Sequence, residues 1–246
     1  MRPRNLDGGW LEPFDPLSGT GFVEANAWQD TWFVPHDIKG LAQLFEGSEA
    51  LCIKLNEAFE KAEAHNFSQD GLKPGEHTTI NYGNQPSTQT AHVFNYAGKP
   101  WLTQKWVRAV KEKTQGGVTP DLGYRGDEDQ GLMGTLGVLM AMGLFQLRGG
   151  ADEDPVYEIT SPIFDRIVVH LDPDYYEGET FVIRTTGNEP ENVYIQSATL
   201  NGKPLGKCWF RHSDLVGGGE LVIELGPEPN TTWGSRPEDA PPSMTA

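Results

Sequence analysis

Residues 132–150 read LMGTLGVLMAMGLFQLRGG, and this stretch divides the chain. From Leu132 to Leu147 the residues are apolar nearly all round, which predicts a helix buried on every side. Gly149 and Gly150 then break the pattern. Upstream of them apolar residues recur at helical spacing, and downstream they alternate as in strands. The predicted fold is therefore mainly α, then β. Residues 1–150 form a helical part, 151–235 a small antiparallel β domain, and the proline-rich end 236–246 is expected to be disordered.

Working back from Leu132, Trp101–Lys113 carries Trp101, Trp106, Val107 and Val110 on one helical face. Pro86–Ala97 can form a short helix, which Gly98 ends in the left-handed region and Pro100 prevents from continuing. A helix from Ser48 presents Leu51, Leu55 and Phe59, and another spans His36–Phe45. Between them lie polar loops at 69–84 and 114–129. Loops of this length are more often functional than plain connectors. Working forward, Tyr157–Ile159, Ile167–Leu171, Phe181–Arg184, Val193–Ala198 and Glu220–Leu225 read as strands, and Asn201-Gly202 as a two-residue hairpin turn.

The 246 residues carry a formal charge of −16. Such a chain repels nucleic acid and anionic membrane, so neither is an expected partner, whereas a neutral substrate or a bound cation suits it. No apolar run is long enough to span a bilayer. The basic start, MRPRNLDGGW, has no hydrophobic region behind it and so does not read as a signal peptide; its loop chemistry suggests a chain that begins inside something larger. Cys52 and Cys208 make neither a disulfide framework nor a zinc motif.

Three segments carry candidate chemistry. Gly21–Asp37, GFVEANAWQDTWFVPHD, mixes Trp and Phe with Glu24, Asn26, Gln29 and two Asp. Aromatic faces beside hydrogen-bonding groups suit a pyranose, which has apolar C–H faces and an equator of hydroxyls. The segment also predicts a Glu24 sheltered from water, the setting in which a carboxyl can keep its proton near neutral pH. An amphipathic helix packing its aromatics into a core explains the same residues. In Arg125–Gln130, Asp127 and Asp129 share one side if the chain is extended, and can activate a water or bind a divalent cation; equally, Asp129 can cap the next helix. In Asn81–Ser87, the amides of Asn84 and Gln85 offer hard oxygens suited to Ca²⁺, or they cap the turn begun by Pro86.

Together, Val23-Glu-Ala-Asn-Ala-Trp-Gln29, Asn84-Gln-Pro-Ser87 with Phe94-Asn-Tyr-Ala-Gly98, and Gly126-Asp-Glu-Asp129 resemble, in order, segments of the α-mannosidases of glycoside hydrolase family 92. Asn192-Val-Tyr-Ile-Gln-Ser197 and Leu200-Asn-Gly-Lys203 continue the resemblance into the β part. The resemblance implies the C-terminal portion of an inverting, Ca²⁺-dependent exo-α-mannosidase acting on mannose-containing glycans. It implies part of an (α/α)6 barrel, with an N-terminal β-sandwich domain of the same protein missing. Glu24 would be the general acid, and Asp127 and Asp129 would activate the attacking water. Trp28, Gln29, Asn84 and Gln85 would bind substrate, with Asn84 and Gln85 on the calcium side. A secreted or periplasmic location goes with the family. Gln85 stands where the family often has Glu, and Thr88-Gln89 where it often has two His. A non-catalytic carbohydrate-binding relative, or an inactive truncated product, is the alternative.

Overall fold

A computed structural model describes residues 1–73, 76–121 and 123–245. The helical part contains α1 (Ala27–Asp30), α2 (Ile38–Leu44), α3 (Ser48–Glu63), α4 (Val93–Tyr96), α5 (Pro100–Thr114) and α6 (Leu132–Met142). The sheet part contains β1 (Leu144–Phe145), β2 (Val156–Ile159), β3 (Arg166–His170), β4 (Thr180–Thr186), β5 (Tyr194–Leu200), β6 (Lys203–Pro204), β7 (Trp209–Arg211) and β8 (Gly219–Gly226), with a short helix α7 (His212–Val216) before β8.

The apolar faces of α3 and α5 form the first core. Leu51, Leu55 and Phe59 from α3 meet Trp106, Val107 and Val110 from α5, all buried. Phe59 stacks on Trp106 with ring centroids 5.2 Å apart. The predicted helix over Pro86–Ala97 is instead two 3-10 turns, Gln85–Ser87 and Thr90–His92, followed by the single turn of α4. Ser87, Thr88 and Thr90 crowd this segment, and short hydroxyl side chains bond nearby backbone rather than favour a helix interior. The Thr88 hydroxyl does so, donating to the Gln85 carbonyl at 2.8 Å.

The long apolar helix is also shorter than predicted. Gly143 adopts φ 71° and ends α6. A Cβ there would stand 2.6 Å from the Thr160 carbonyl oxygen and 2.8 Å from the Pro162 nitrogen, so the chain can pass only as glycine. Leu144 and Phe145 then pair with Ile159 and Glu158, which starts the β part ahead of Gly149-Gly150. Nor is α6 buried all round. Met133, Leu136 and Met140 face the interior, while Gly134, Thr135 and Val138 are exposed, Val138 at 58%.

The strands form a three-stranded sheet, β1-β2-β7, and a five-stranded sheet, β3-β4-β8-β5-β6. They share a second core, in which Phe181 of β4 stacks on Phe210 of β7 at 5.5 Å. Asn201 and Gly202, with φ of 50° and 74°, make the predicted hairpin turn between β5 and β6. The β part is not wholly antiparallel: β8 inserts between β4 and β5 and runs parallel to β4. The connection through β5, β6, β7 and α7 is long enough to bring it back in that direction.

The two parts are joined by buried polar contacts. Glu158 of β2 accepts from His92 Nδ1 at 3.0 Å, Asn95 Nδ2 at 2.9 Å and Tyr96 Oη at 3.3 Å. Burial, with the Glu158 carboxylate beside it, pushes the Tyr96 phenol well above its ordinary range. Gln104 of α5 accepts from the Ile195 backbone at 2.9 Å.

The expected disorder at 236–246 does not hold for the described residues 236–245. Ser243 and Thr245 donate their hydroxyls to the Asp37 carboxylate at 2.9 and 2.6 Å, and the Met244 N–H donates to the His36 carbonyl at 3.1 Å. A composition poor in apolar side chains therefore docks through hydrogen bonds at the start of α2.

Candidate active site

Residues 81–87 form a hydrogen-bonded platform. Asn81 Oδ1 accepts from the backbone of Gln69 and Gly83, each at 3.1 Å, and the Asn81 N–H donates to Ser87 Oγ at 3.2 Å. From this platform Asn84 enters the 3-10 turn as its cap, its Oδ1 accepting from the Gln85 N–H at 3.0 Å. Its other side-chain end, Nδ2, donates to the Glu24 carbonyl at 3.0 Å. One residue on, Gln85 Nε2 donates to the carbonyls of Asp127 and Glu128 at 3.4 and 3.3 Å. Two neighbouring amides thus touch the Glu24 loop and the Asp127 loop, bringing together three segments that are far apart in sequence.

The Asp127 loop is held at further points. Gly126 has φ 77°, and a Cβ on it would collide with the backbone of Gly83, so the two loops pass glycine against glycine. The Gly126 N–H donates to Asp70 Oδ2 at 3.1 Å, and the Arg125 N–H to the Thr114 carbonyl at 3.1 Å. Glu128 turns into the start of α6, accepting from the Met133 and Gly134 N–H groups at 2.8 and 3.1 Å. The helix cap expected of Asp129 is therefore supplied by Glu128. Asp129 sits in the left-handed region at φ 48°, so the segment is not the simple extended run that would align it with Asp127. Both aspartates remain exposed. Nearby, partial desolvation and then the Glu128 and Asp127 carboxylates push the Tyr124 phenol above its ordinary range.

Glu24 is exposed, not sheltered among aromatics. The aromatic residues of its segment go elsewhere. Trp32 is buried and stacks on Phe45 at 5.5 Å, while Phe33 faces outward. Trp28 lies beneath two α3 ammonium groups, Lys54 at 4.0 Å and Lys61 at 5.0 Å from its ring centroid. It lines a cleft of about 270 Å³ with Phe14, Trp32 and Phe45, and that cleft does not include Glu24, Asn84 or Asp127. Gln29 is buried, and its Nε2 donates to the Thr78 carbonyl at 2.9 Å, beside Asn26 Nδ2 at 3.1 Å. Asn26 also caps α1. The structure thus gathers Glu24, Asn84, Gln85 and the Asp127–Asp129 loop, and places Trp28 beside the α3 lysines and Gln29 against the Thr78 backbone.

From sequence alone no role is assigned to Asp70 or to the Gly83–Gly126 contact, and none as a cap to Asn26 or Glu128. The cap roles of Asn26 and Glu128 leave a local trace, a polar side chain just ahead of a helical turn. The contacts of Asp70 and of the two glycines join segments 40 to 60 residues apart and leave none.

The oxygens at this junction are hard donors of the kind calcium prefers. Asn84 Oδ1 accepts one hydrogen bond within the turn and keeps a second lone pair, and among the described residues no three His, Cys, Asp or Glu side chains converge as a metal site.

The chain is similar to known glycosidases. The family model described as "Glycosyl hydrolase family 92 catalytic domain" matches residues 1–227. A curated relative from Arthroderma benhamiae, described as an uncharacterized secreted glycosidase, is 31% identical over all of this chain and 30% of its own length. Among solved structures, the chain is similar to an inverting mannosidase of family GH92 from Bacteroides thetaiotaomicron, with 32% identity and a TM-score of 0.83 over 100% of this chain and 33% of that one. It is also similar to a GH92 α-mannosidase from the same organism, at 27% identity and a TM-score of 0.82 over 100% and 31% of the two chains. The chain therefore spans about a third of the length of these relatives. Among the described residues no helix is long and apolar enough to cross a membrane.

Proposed function

This chain belongs to glycosyl hydrolase family 92, and we propose from that premise that it is the C-terminal part of an inverting exo-α-mannosidase. In this reading residues 1–150 complete an (α/α)6 barrel with helices from the rest of the protein, and the substrate is a terminal α-linked mannose on a glycan of the secreted or periplasmic space. The observation that carries the proposal is the junction at Asn84-Gln85, where the Glu24 loop and the Asp127 loop meet.

Glu24 protonates the departing glycosidic oxygen. Asp127 or Asp129 takes the proton of a water that attacks the anomeric carbon from the opposite face. Inversion needs these carboxyl groups roughly 6.5–9.5 Å apart, with room for the water. Glu24 is exposed in this chain, so the walls that desolvate it come from the remainder of the protein.

Calcium belongs to the same proposal. Bound there, it would hold sugar hydroxyls and favour a flattened ring. The amide oxygens of Asn84 and Gln85 would help to hold it.

The test is hydrolysis of an α-mannoside by the full-length protein, with the product anomer followed by NMR. β-Mannose as the first product is expected. α-Mannose as the first product, or undiminished turnover in Glu24→Gln, sinks the assignment. Turnover insensitive to chelator removes calcium alone.

A further inference from the structure

Asn84 and Gln85 are adjacent, and each turns an amide N–H toward a main-chain carbonyl of a different loop. Asn84 Nδ2 reaches the Glu24 oxygen at 3.0 Å, and Gln85 Nε2 reaches the Asp127 and Glu128 oxygens at 3.4 and 3.3 Å. Only the NH₂ end of an amide can face a carbonyl favourably, because two oxygens would repel. The nitrogens therefore look at the loops, and the orientation is fixed by chemistry.

We propose that Asn84 and Gln85 are positioning residues, a double latch that sets the spacing between the Glu24 loop and the Asp127–Asp129 loop through their side-chain N–H groups. The inference rests on the mannosidase reading for its consequence in catalysis, but not for its geometry. Both latches spring from one short 3-10 turn, itself fixed by Asn81 and Ser87. Where two carboxyl groups must stand apart by one water, such a ruler matters: a misplacement of about 1 Å can cost on the order of 10²-fold in rate.

The latch also accounts for an amide at position 85. A carboxylate cannot donate, and at this position it would face two carbonyl oxygens. In this chain the base loop is held by a donor, so amide and carboxylate are not interchangeable here.

Two substitutions in the full-length protein separate a latch from an oxygen ligand. Asn84→Asp keeps the oxygen that caps the turn and loses the donor; Gln85→Glu keeps both reach and oxygen and loses the donor. If the side chains act through N–H, each lowers kcat on the order of 10²-fold with little change in KM. Amide hydrogen exchange should rise on the order of tenfold, across 125–130 for Gln85→Glu and across 22–25 for Asn84→Asp. Gln85→Lys, which restores a donor, should keep the protection of 125–130. Wild-type exchange in the Asp and Glu variants overturns the latch whatever the activity. Absence of mannoside hydrolysis by the unmodified protein sinks the mannosidase reading, while the exchange measurement still decides the latch.

Discussion

The side-chain amide of Asn84 donates to the main-chain oxygen of Glu24 across 3.0 Å, and Glu24 itself sits in the left-handed region at φ 55°. A non-glycine residue there carries strain of about 1–2 kcal/mol. It persists where its surroundings impose it. Glu24→Gly should remove the proton donor and the strain together. The expected result is loss of mannoside turnover with stability unchanged or raised by up to about 1 kcal/mol in urea denaturation. A variant clearly less stable than the parent would show that the conformation is not strained.

Gly126 and Gly131 share nearly the same positive φ, 77° and 76°, in different surroundings. A Cβ on Gly126 meets the Gly83 backbone, while one on Gly131 meets nothing within 4 Å. Gly131→Ala should cost about 1 kcal/mol from conformation alone. Gly126→Ala should cost more and also lower kcat, because the loop carrying Asp127 must move. Equal effects of the two substitutions on stability and turnover would refute the role given to the glycine contact.

Glu158 is fully buried and accepts hydrogen bonds from three residues of the helical part. Its removal leaves buried donors without an acceptor. Glu158→Ala should destabilise by about 3–5 kcal/mol, as when one member of a buried polar pair is lost. Because the network spans both cores, one cooperative transition should split into two or broaden in denaturant. A small, single-transition change would mean that the two parts are not coupled through it.

Asp37 receives hydrogen bonds from the Thr245 hydroxyl and N–H, the Gly40 N–H and the Ser243 hydroxyl, and these hold its carboxyl well below the usual carboxylate range. A depressed folded-state pKa means that the docking of residues 243–245 is fully present above the ordinary carboxylate pKa. It is lost only as pH falls below that value toward the folded one. Exchange of the Met244 and Thr245 amides should therefore be protected from pH 5 to 7, and Asp37→Ala should abolish the protection throughout that range. Protection that survives the substitution would place the docking elsewhere.

The helices around Leu55 and Val107 and the Asn201-Gly202 hairpin were legible because their signals are local: apolar spacing in the first case, a turn needing two positive φ angles in the second. The end of α6 was not, because Gly143 stops it through a contact with Thr160, a residue known to be near only once the chain has folded. The last residues misled for a related reason. Low apolar content argues for disorder, yet Asp37, some two hundred residues away, supplies the missing partners. At the site, the segment order pointed to Glu24, Asp127 and Asp129. It also grouped Trp28 and Gln29 with Glu24, since neighbours in sequence look like neighbours in space. A single helical turn separates them, sending Trp28 to the lysines of α3 and Gln29 into the Thr78 backbone.

The short turn at Asn84 and Gln85 has one more consequence, and it concerns motion. Two loops tied to separate supports fluctuate independently, and the gap between them widens and narrows with every excursion. Two loops tied to consecutive residues of one small rigid piece share its displacement. Under the proposed latch, thermal movement of that piece carries the Glu24 and Asp127 loops along together, so that the gap between them changes less than the position of either.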